Sequence, residues 1–343
     1  MIKISNSNLD KLCSNHYELL CNKFSFSIYK RLNKSLKDYK IKRKQVYKDY
    51  LLLLQFIDTN LKDIITAKPS KLEYYKNKMS KLSINFEFTK KKENKTTEQK
   101  EILIDLNKIF NYETFSSNGF TKSKTKTDNN DYFYSGNVLV HSLKLSVCPY
   151  CNRNTIYSIQ DGEKRTSELD HFYPQSKYPF LALSFYNLVP SCKVCNKIKL
   201  DNDDKEYINP YDDRYDMNKN MKFSMKIKDS TFYNCEDGFK LEYIINNKIS
   251  KDESNRIENN IEDFKLDDLY ENHKDIVLEL IQKDIVYNDS YIDELLLKYE
   301  GTLFKNKEDV QRLITCGYVS DEDLHKRPLS KLIKDISEEL QII

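Results

Sequence analysis

The chain has 343 residues, 39% of them hydrophobic and 32% charged, with eight cysteines, five histidines, no tryptophan and a formal net charge of +3. That apolar and aromatic content supports a packed core and excludes a disordered chain, and the length suits two or three domains of ordinary size. The greasiest run, "LLLLQFI" at 51–57, is too short to cross a bilayer, and no charged leader precedes an apolar segment, so the sequence reads as a cytoplasmic protein without membrane contact.

Residues 1 to about 88 predict helices. Around "LKDYKIKRKQVYKDYLLLLQFIDTNLKDII" apolar residues recur every three or four positions, with lysines filling many of the others. Residues 21–100 hold 21 Lys/Arg against 8 Asp/Glu, and Lys42, Arg43 and Lys44 stand together within them, while the remainder of the chain is acidic. One basic surface facing a polyanion fits this asymmetry, and so does a solvated lysine-rich helical face. The run 89–101, "TKKKENKTTEQKE", reads as a loop or an exposed helix end, and 121–131, "TKSKTKTDNND", as a mobile loop.

From about 137 the texture changes. "VLVHSLKLSV" leads into Cys148 and Cys151. "NTIYSI", the turn "QDGEKR" and "TSELDHF" predict a β-hairpin, and "FLALSFYNLVPSC" predicts a short helix and loop before Cys192 and Cys195. "INPYDD" at 208–213 is a turn-rich exit. Residues 221–248 alternate enough for another hairpin. From 254 onward the chain is helical again, with Gly317 marking a turn and Ser320 and Asp323 resembling a capping box. The segment around Gly317 has the outline of a helix-turn-helix, but it is acidic, which suits packing better than DNA reading.

Two C-x-x-C pairs in a reducing compartment read as one closed tetrahedral site for structural zinc, formed by Cys148, Cys151, Cys192 and Cys195. A thioredoxin-like redox site would use one pair and a βαβ context that the sequence does not offer. About forty residues separate the pairs, more than a simple zinc ribbon uses, so the insert has a task of its own. Cys13, Cys21, Cys235 and Cys316 have no ligand spacing and read as small hydrophobes in the fold.

Within the insert stand Asp170-His171 and Asn187, and Asn196 directly follows the second pair. In order and spacing, "ELDHFYPQS", "YNLVPSC" and "CNKIK" resemble the HNH, or ββα-metal, endonucleases over residues 148–201. Together with the helical flanks read above, the resemblance implies an α+β fold: a predominantly helical chain around a central zinc-stabilised ββα-metal nuclease module. Residues 1–136 would be the helical, basic N-terminal region, 137–210 the nuclease module, and 211–343 a β-hairpin with a helical C-terminal region.

The resemblance implies His171 as the general base and Asn187 as the catalytic residue that fixes the loop around it. Asp170 and Asn196 are implied as ligands of a catalytic Mg²⁺ or Mn²⁺. These residue types suit phosphodiester hydrolysis, which needs a base titrating near neutrality and a cation on hard oxygen ligands. Asn196 stands where the family name has histidine, and it still offers an oxygen. Lys199, three residues on and so on the same helical face, reads as a phosphate contact. His141 reads as structural, and Glu168 as a solvent-facing strand residue.

The wider texture, from "CPYCN" through "LDHFYP" to "NPY", resembles HNH nucleases of prokaryotic anti-phage defence operons, such as the Septu nuclease subunit and its retron-associated relatives. That resemblance implies a nucleic-acid substrate, expected to be DNA, and a partner ATPase from the same operon. Two alternatives stand beside it. One is a modification-dependent or homing-type HNH endonuclease acting alone; the other is a non-catalytic zinc-dependent nucleic-acid-binding protein, against which the presence of Asp170 and His171 counts.

Overall fold

The computed structural model describes residues 1–23, 27–117, 119–121, 133–159, 164–202, 204–287 and 289–343. The loop expected at 121–131, apart from its first residue, and most of the turn expected at 160–165 lie outside the described residues.

The N-terminal third is helical: α1 (Leu9–Glu18), α2 (Ile28–Lys40), α3 (Gln45–Thr66), α4 (Pro69–Leu82) and α5 (Thr97–Ile109). The apolar period sets the inward face of α3, where Leu53, Leu54, Ile57, Leu61, Ile64 and Ile65 are buried. Pro69 opens α4, at a position where its missing N–H costs nothing. Thr96 caps α5 through a reciprocal pair: its hydroxyl accepts the Gln99 N–H (3.2 Å), and Gln99 Oε1 accepts the Thr96 N–H (3.0 Å). The charged run 89–101 is therefore part loop and part helix start. Lys42 and Lys44 pair with Glu101 and Glu98 on α5, so these two cations tie helices together.

Two short helices follow, α6 (Tyr112–Ser116) and α7 (Gly136–Leu143), with the pair β1 (Phe120–Thr121) and β2 (Phe133–Tyr134) between them. Among the described residues β3 (Ser158–Ile159) pairs only with β4 (Lys164–Arg165). β5 (Glu168–His171) does not extend that hairpin as expected. It pairs antiparallel with β6 (Leu188–Ser191), placing Asp170 opposite Val189 and His171 opposite Leu188. The expected helix and loop before Cys192 is corrected in the same way, to 3₁₀ turns at Pro179–Leu181 and Phe185–Asn187 and then this strand. β6 is buried along its whole length, so it shows no alternation, and Pro190 argues against a strand in the sequence. In a two-stranded sheet every strand is an edge, so Pro190 is tolerated opposite Leu169. α8 (Lys193–Lys199) follows β6 and packs on β5.

After α9 (Met217–Asn220), the expected second hairpin forms from β7 (Met221–Ile227) and β8 (Phe239–Ile245). Helices α10 (Lys251–Asp263), α11 (Leu266–Glu271), α12 (Lys274–Val286), α13 (Asp289–Tyr299), α14 (Lys307–Thr315) and α15 (Ser330–Glu339) complete the chain. The expected capping box at Ser320 is a turn instead, with the Asp323 N–H on the Ser320 carbonyl (3.0 Å). The next helix begins only at Ser330, beyond Pro328. Gly317 serves packing: a Cβ there would lie 2.7 Å from Ile333 Cγ2, so α15 rests against the bare glycine.

The chain is thus mixed α and β, mainly helical, with four two-stranded sheets among the described residues. Among the described residues most buried apolar side chains form one large cluster that runs from the N-terminal helices through the cysteine-bearing segment to α15, and Ile2, Val147 and Leu324 form a small second one. Asn152 clasps the far end of the chain to the first cysteine pair. Its Nδ2 donates to the Leu324 carbonyl (2.9 Å), its Oδ1 accepts the Lys331 N–H (2.9 Å), and its own carbonyl accepts the Leu329 N–H (2.6 Å). No described helix is long and apolar enough to cross a membrane.

Candidate active site and metal centre

Cys148, Cys151, Cys192 and Cys195 come together in the interior, with their four sulfurs within 4.8 Å of one another. Zn–S bonds of about 2.3 Å in a tetrahedron put sulfurs about 3.8 Å apart. Cys151 Sγ and Cys192 Sγ are 3.9 Å apart, so the cluster fits a structural metal such as zinc. N–H groups also point at the sulfurs, from Arg153 to Cys151 (3.4 Å) and from Asn154 and Cys195 to Cys192 (3.3 and 3.4 Å). Such donors favour the thiolate, the form that binds a metal. Cys13 and Cys21 are buried, as expected of small hydrophobes, whereas Cys235 and Cys316 are exposed, which corrects that reading for two of the four.

The hairpin of β5 and β6 carries Asp170 and His171, and α8 carries Asn196. All three border one cleft of about 840 Å³, which lies between this unit and α5. His171 is half-buried. Its Nε2 lies 3.0 Å from the Ala182 carbonyl oxygen, which can only accept, so Nε2 carries the proton and Nδ1 keeps a free lone pair. The Tyr112 ring packs edge-on against the imidazole at 4.3 Å. Desolvation, opposed by the Ala182 hydrogen bond, pulls the His171 pKa from 6.5 to about 4, so the ring is neutral at physiological pH.

Asn187 is fully buried and holds the connection between the two strands. Its Oδ1 accepts the Tyr173 N–H (2.7 Å), and its Nδ2 donates to the carbonyls of Tyr173 (3.2 Å) and Leu181 (3.1 Å). Leu181 precedes Ala182, the residue that orients His171, so Asn187 acts on the imidazole through the backbone it fixes.

Asp170 is buried and accepts from two side chains. Tyr150, from the first cysteine pair, donates its hydroxyl to Oδ2 (2.6 Å). Lys199 lies 3.1 Å from Oδ2 and 3.2 Å from Oδ1, and also donates to the His171 carbonyl (2.7 Å). This corrects the expectation for Lys199. It does share a helical face with Asn196, but that face turns inward, so Lys199 is an interior counter-ion of Asp170 and not a surface contact for phosphate. The fit to a divalent cation survives this pairing. Each carboxylate oxygen accepts one hydrogen bond, Oδ2 from Tyr150 and Oδ1 from Lys199, which leaves a lone pair on each, and the half-buried Asn196 adds a further hard oxygen at the same cleft.

The cleft is electrically two-sided. Glu168, Asp170 and Asp201 stand on the hairpin and α8 side, with Glu168 exposed as expected. Lys90, Lys95 and Lys100 stand on the other. Lys95 is buried and donates to the carbonyls of Phe88 and Lys90, and Lys90 pairs with Glu87 (2.7 Å). Lys100 is half-buried along α5, with Asn107 two turns further on bordering the same cleft. His141 hydrogen-bonds Ser158 (3.1 Å) and does not border the cleft. Sequence reasoning missed Tyr150, although it sits in "CPYC", and missed Tyr112 and Lys100, which only the tertiary fold brings to this place.

A stretch of 72 residues is 38% identical to the Septu protein PtuB of Bacillus thuringiensis, covering 20% of this chain and 28% of that protein's length. No family model matches the chain, and no solved structure matches it.

Proposed function

We propose that this chain is a metal-dependent HNH endonuclease, hydrolysing phosphodiester bonds of nucleic acid, DNA foremost, as a cytoplasmic effector of prokaryotic anti-phage defence. The observation that carries the reading is the convergence of Asp170, His171 and Asn196 on one cleft, with His171 Nδ1 left unprotonated by the Ala182 contact. The partial similarity to a Septu protein supports the defence context, and the partner ATPase implied by the sequence resemblance is part of the same reading. In this reading residues 137–210 are the nuclease module, the cysteine cluster is its zinc clamp, and the helical regions on either side bind substrate or partner.

The chemistry follows from the side chains. His171 Nδ1 takes a proton from a water molecule as the water oxygen attacks phosphorus, and the P–O bond to the leaving oxygen breaks. A neutral ring at physiological pH is the form that accepts this proton. Nε2 on Ala182 passes part of the resulting positive charge to the carbonyl, and Asn187 keeps that carbonyl in place. A divalent cation on Asp170 and Asn196 would neutralise charge on the phosphate and the leaving oxygen. Lys100 on the opposite wall attracts the backbone that the acidic wall would otherwise repel.

The test is cleavage by the purified protein of supercoiled, linear and single-stranded DNA and of RNA, with and without Mg²⁺ or Mn²⁺. Cleavage that needs the metal and His171 is the expected result. Metal-dependent cleavage that persists undiminished in His171→Ala would overturn the assignment.

A further inference from the structure

Asp170 is held by a residue that belongs to the cysteine knuckle itself. Tyr150 lies between Cys148 and Cys151, is fully buried, and donates its hydroxyl to Asp170 Oδ2 at 2.6 Å. Its ring is stacked on Phe264 at the end of α10, with centroids 4.6 Å apart and planes at 21°. The ring thus has no freedom to swing, and the hydroxyl arrives from a fixed direction. Lys199 reaches the same carboxylate from α8, which begins between Cys192 and Cys195. Both halves of the four-cysteine cluster therefore send one side chain each to Asp170.

We propose that Tyr150 is the positioning residue for Asp170: its hydroxyl fixes Oδ2, as Lys199 fixes Oδ1, so that the carboxylate presents its remaining lone pairs to a divalent cation in one orientation. A carboxylate without this bond can rotate and present either oxygen or both. With it, the carboxylate is restricted to one orientation. The inference rests on the reading of Asp170 as a metal ligand. It adds that the zinc clamp sets the second metal site through a specific hydroxyl, and not by general rigidity alone.

The test is Tyr150→Phe, which keeps the stacked ring and removes only the hydroxyl. Mn²⁺ binding is measured by electron paramagnetic resonance on the zinc-loaded full chain without nucleic acid, and zinc is counted separately. The expected result is unchanged zinc with Mn²⁺ affinity weaker by about 10- to 100-fold, the usual effect of losing a group that orients a ligand. The Mn²⁺ concentration for half-maximal cleavage rises by a similar factor, while the rate at saturating Mn²⁺ stays near that of the wild type. In an Asp170→Asn background the same substitution has no further effect. Phe264→Leu, which loosens the stack and keeps the hydroxyl, weakens Mn²⁺ binding in the same direction and keeps the inference testable should the Phe variant fold poorly. Wild-type Mn²⁺ affinity in the variants, or a wild type that binds no Mn²⁺, overturns the inference. A wild type that binds Mn²⁺ through Asp170, with an affinity that depends on Tyr150, but cuts no nucleic acid overturns the nuclease reading and leaves this inference standing.

Discussion

Lys199 and Asp170 form an ion pair 3.1 Å apart that is almost wholly withdrawn from water, with 3% and 4% of their side-chain surface exposed. Removing one member of a buried pair leaves the other charge uncompensated, at a cost of about 3–5 kcal/mol. Lys199→Met is therefore expected to lower the unfolding free energy by about 3 kcal/mol in buffer free of added divalent metal. Added Mn²⁺ should restore part of the loss, because a cation on Asp170 replaces the missing ammonium. Urea titrations with and without Mn²⁺ check both parts, and a variant as stable as the wild type would show that the pair contributes no net stability.

His171→Ala removes the proposed base and no metal ligand. Cleavage should fall by about 10²- to 10⁴-fold, the ordinary contribution of a positioned acid–base group. Zinc content and nucleic-acid affinity should stay near wild type. Rate, zinc stoichiometry and binding measured on one preparation separate loss of chemistry from loss of fold.

Asn196 offers a hard oxygen where imidazole would favour softer metals. Asn196→His should keep some cleavage and shift its metal preference from Mg²⁺ towards Ni²⁺ or Co²⁺. Asn196→Ala should lose most activity with every metal. Rates across a metal series decide the matter, and a fully active Asn196→Ala removes this residue from the site.

Lys42 and Lys44 are already engaged with Glu101 and Glu98, so neutralising them should affect α5 more than substrate binding. Lys100 borders the cleft directly. Lys100→Ala is expected to weaken nucleic-acid binding and to reduce the slope of log affinity against log salt by about 0.7 to 0.9, one phosphate contact. Anisotropy titrations at several salt concentrations give the slope. An unaltered slope would leave Lys100 as a solvated helix residue.

His16 gives a pH prediction with a definite sign. It is fully buried, with Nδ1 2.6 Å from the Tyr134 hydroxyl and Nε2 2.8 Å from the Leu183 carbonyl. The carbonyl only accepts, so the ring is neutral, with its proton on Nε2. Burial pulls its pKa from 6.5 to about 4. The unfolded chain binds the proton more readily, so the contribution is complete above pH 6.5, declines as pH falls, and is gone below about 4. The loss should reach roughly 2 kcal/mol by about pH 5. Urea unfolding of wild type and His16→Gln at neutral pH and near pH 5 isolates it, and parallel pH profiles would count against it.

The parts of this molecule that can be read from sequence are those written in local pattern. The helical period of α3, the alternation of β7 and β8, and the four cysteines all carry their signal within a few residues. β6 was hidden because a wholly buried strand has no alternation, and because Pro190 normally speaks against one. Three-residue spacing fixes the helical face of Lys199 and does not say whether that face meets water or a carboxylate. The role of Tyr150 depends on Asp170, twenty residues away, and no local pattern carries it. Glu98 and Glu101, which engage two lysines of the basic region, could be matched to them only once α5 was docked.

The clasp at Asn152 bears on when the cluster can become secure during synthesis. Asn152 adjoins Cys151, yet its three partners lie at Leu324, Leu329 and Lys331, the farthest of them 179 residues along the chain. Contacts at that separation form late, because a long loop must close before they are gained. On the ribosome, the segment bearing Cys148 to Asn196 emerges well before the residues that fasten it. Under the proposed nuclease reading, the half-made chain would thus be held back while its own message is still being translated.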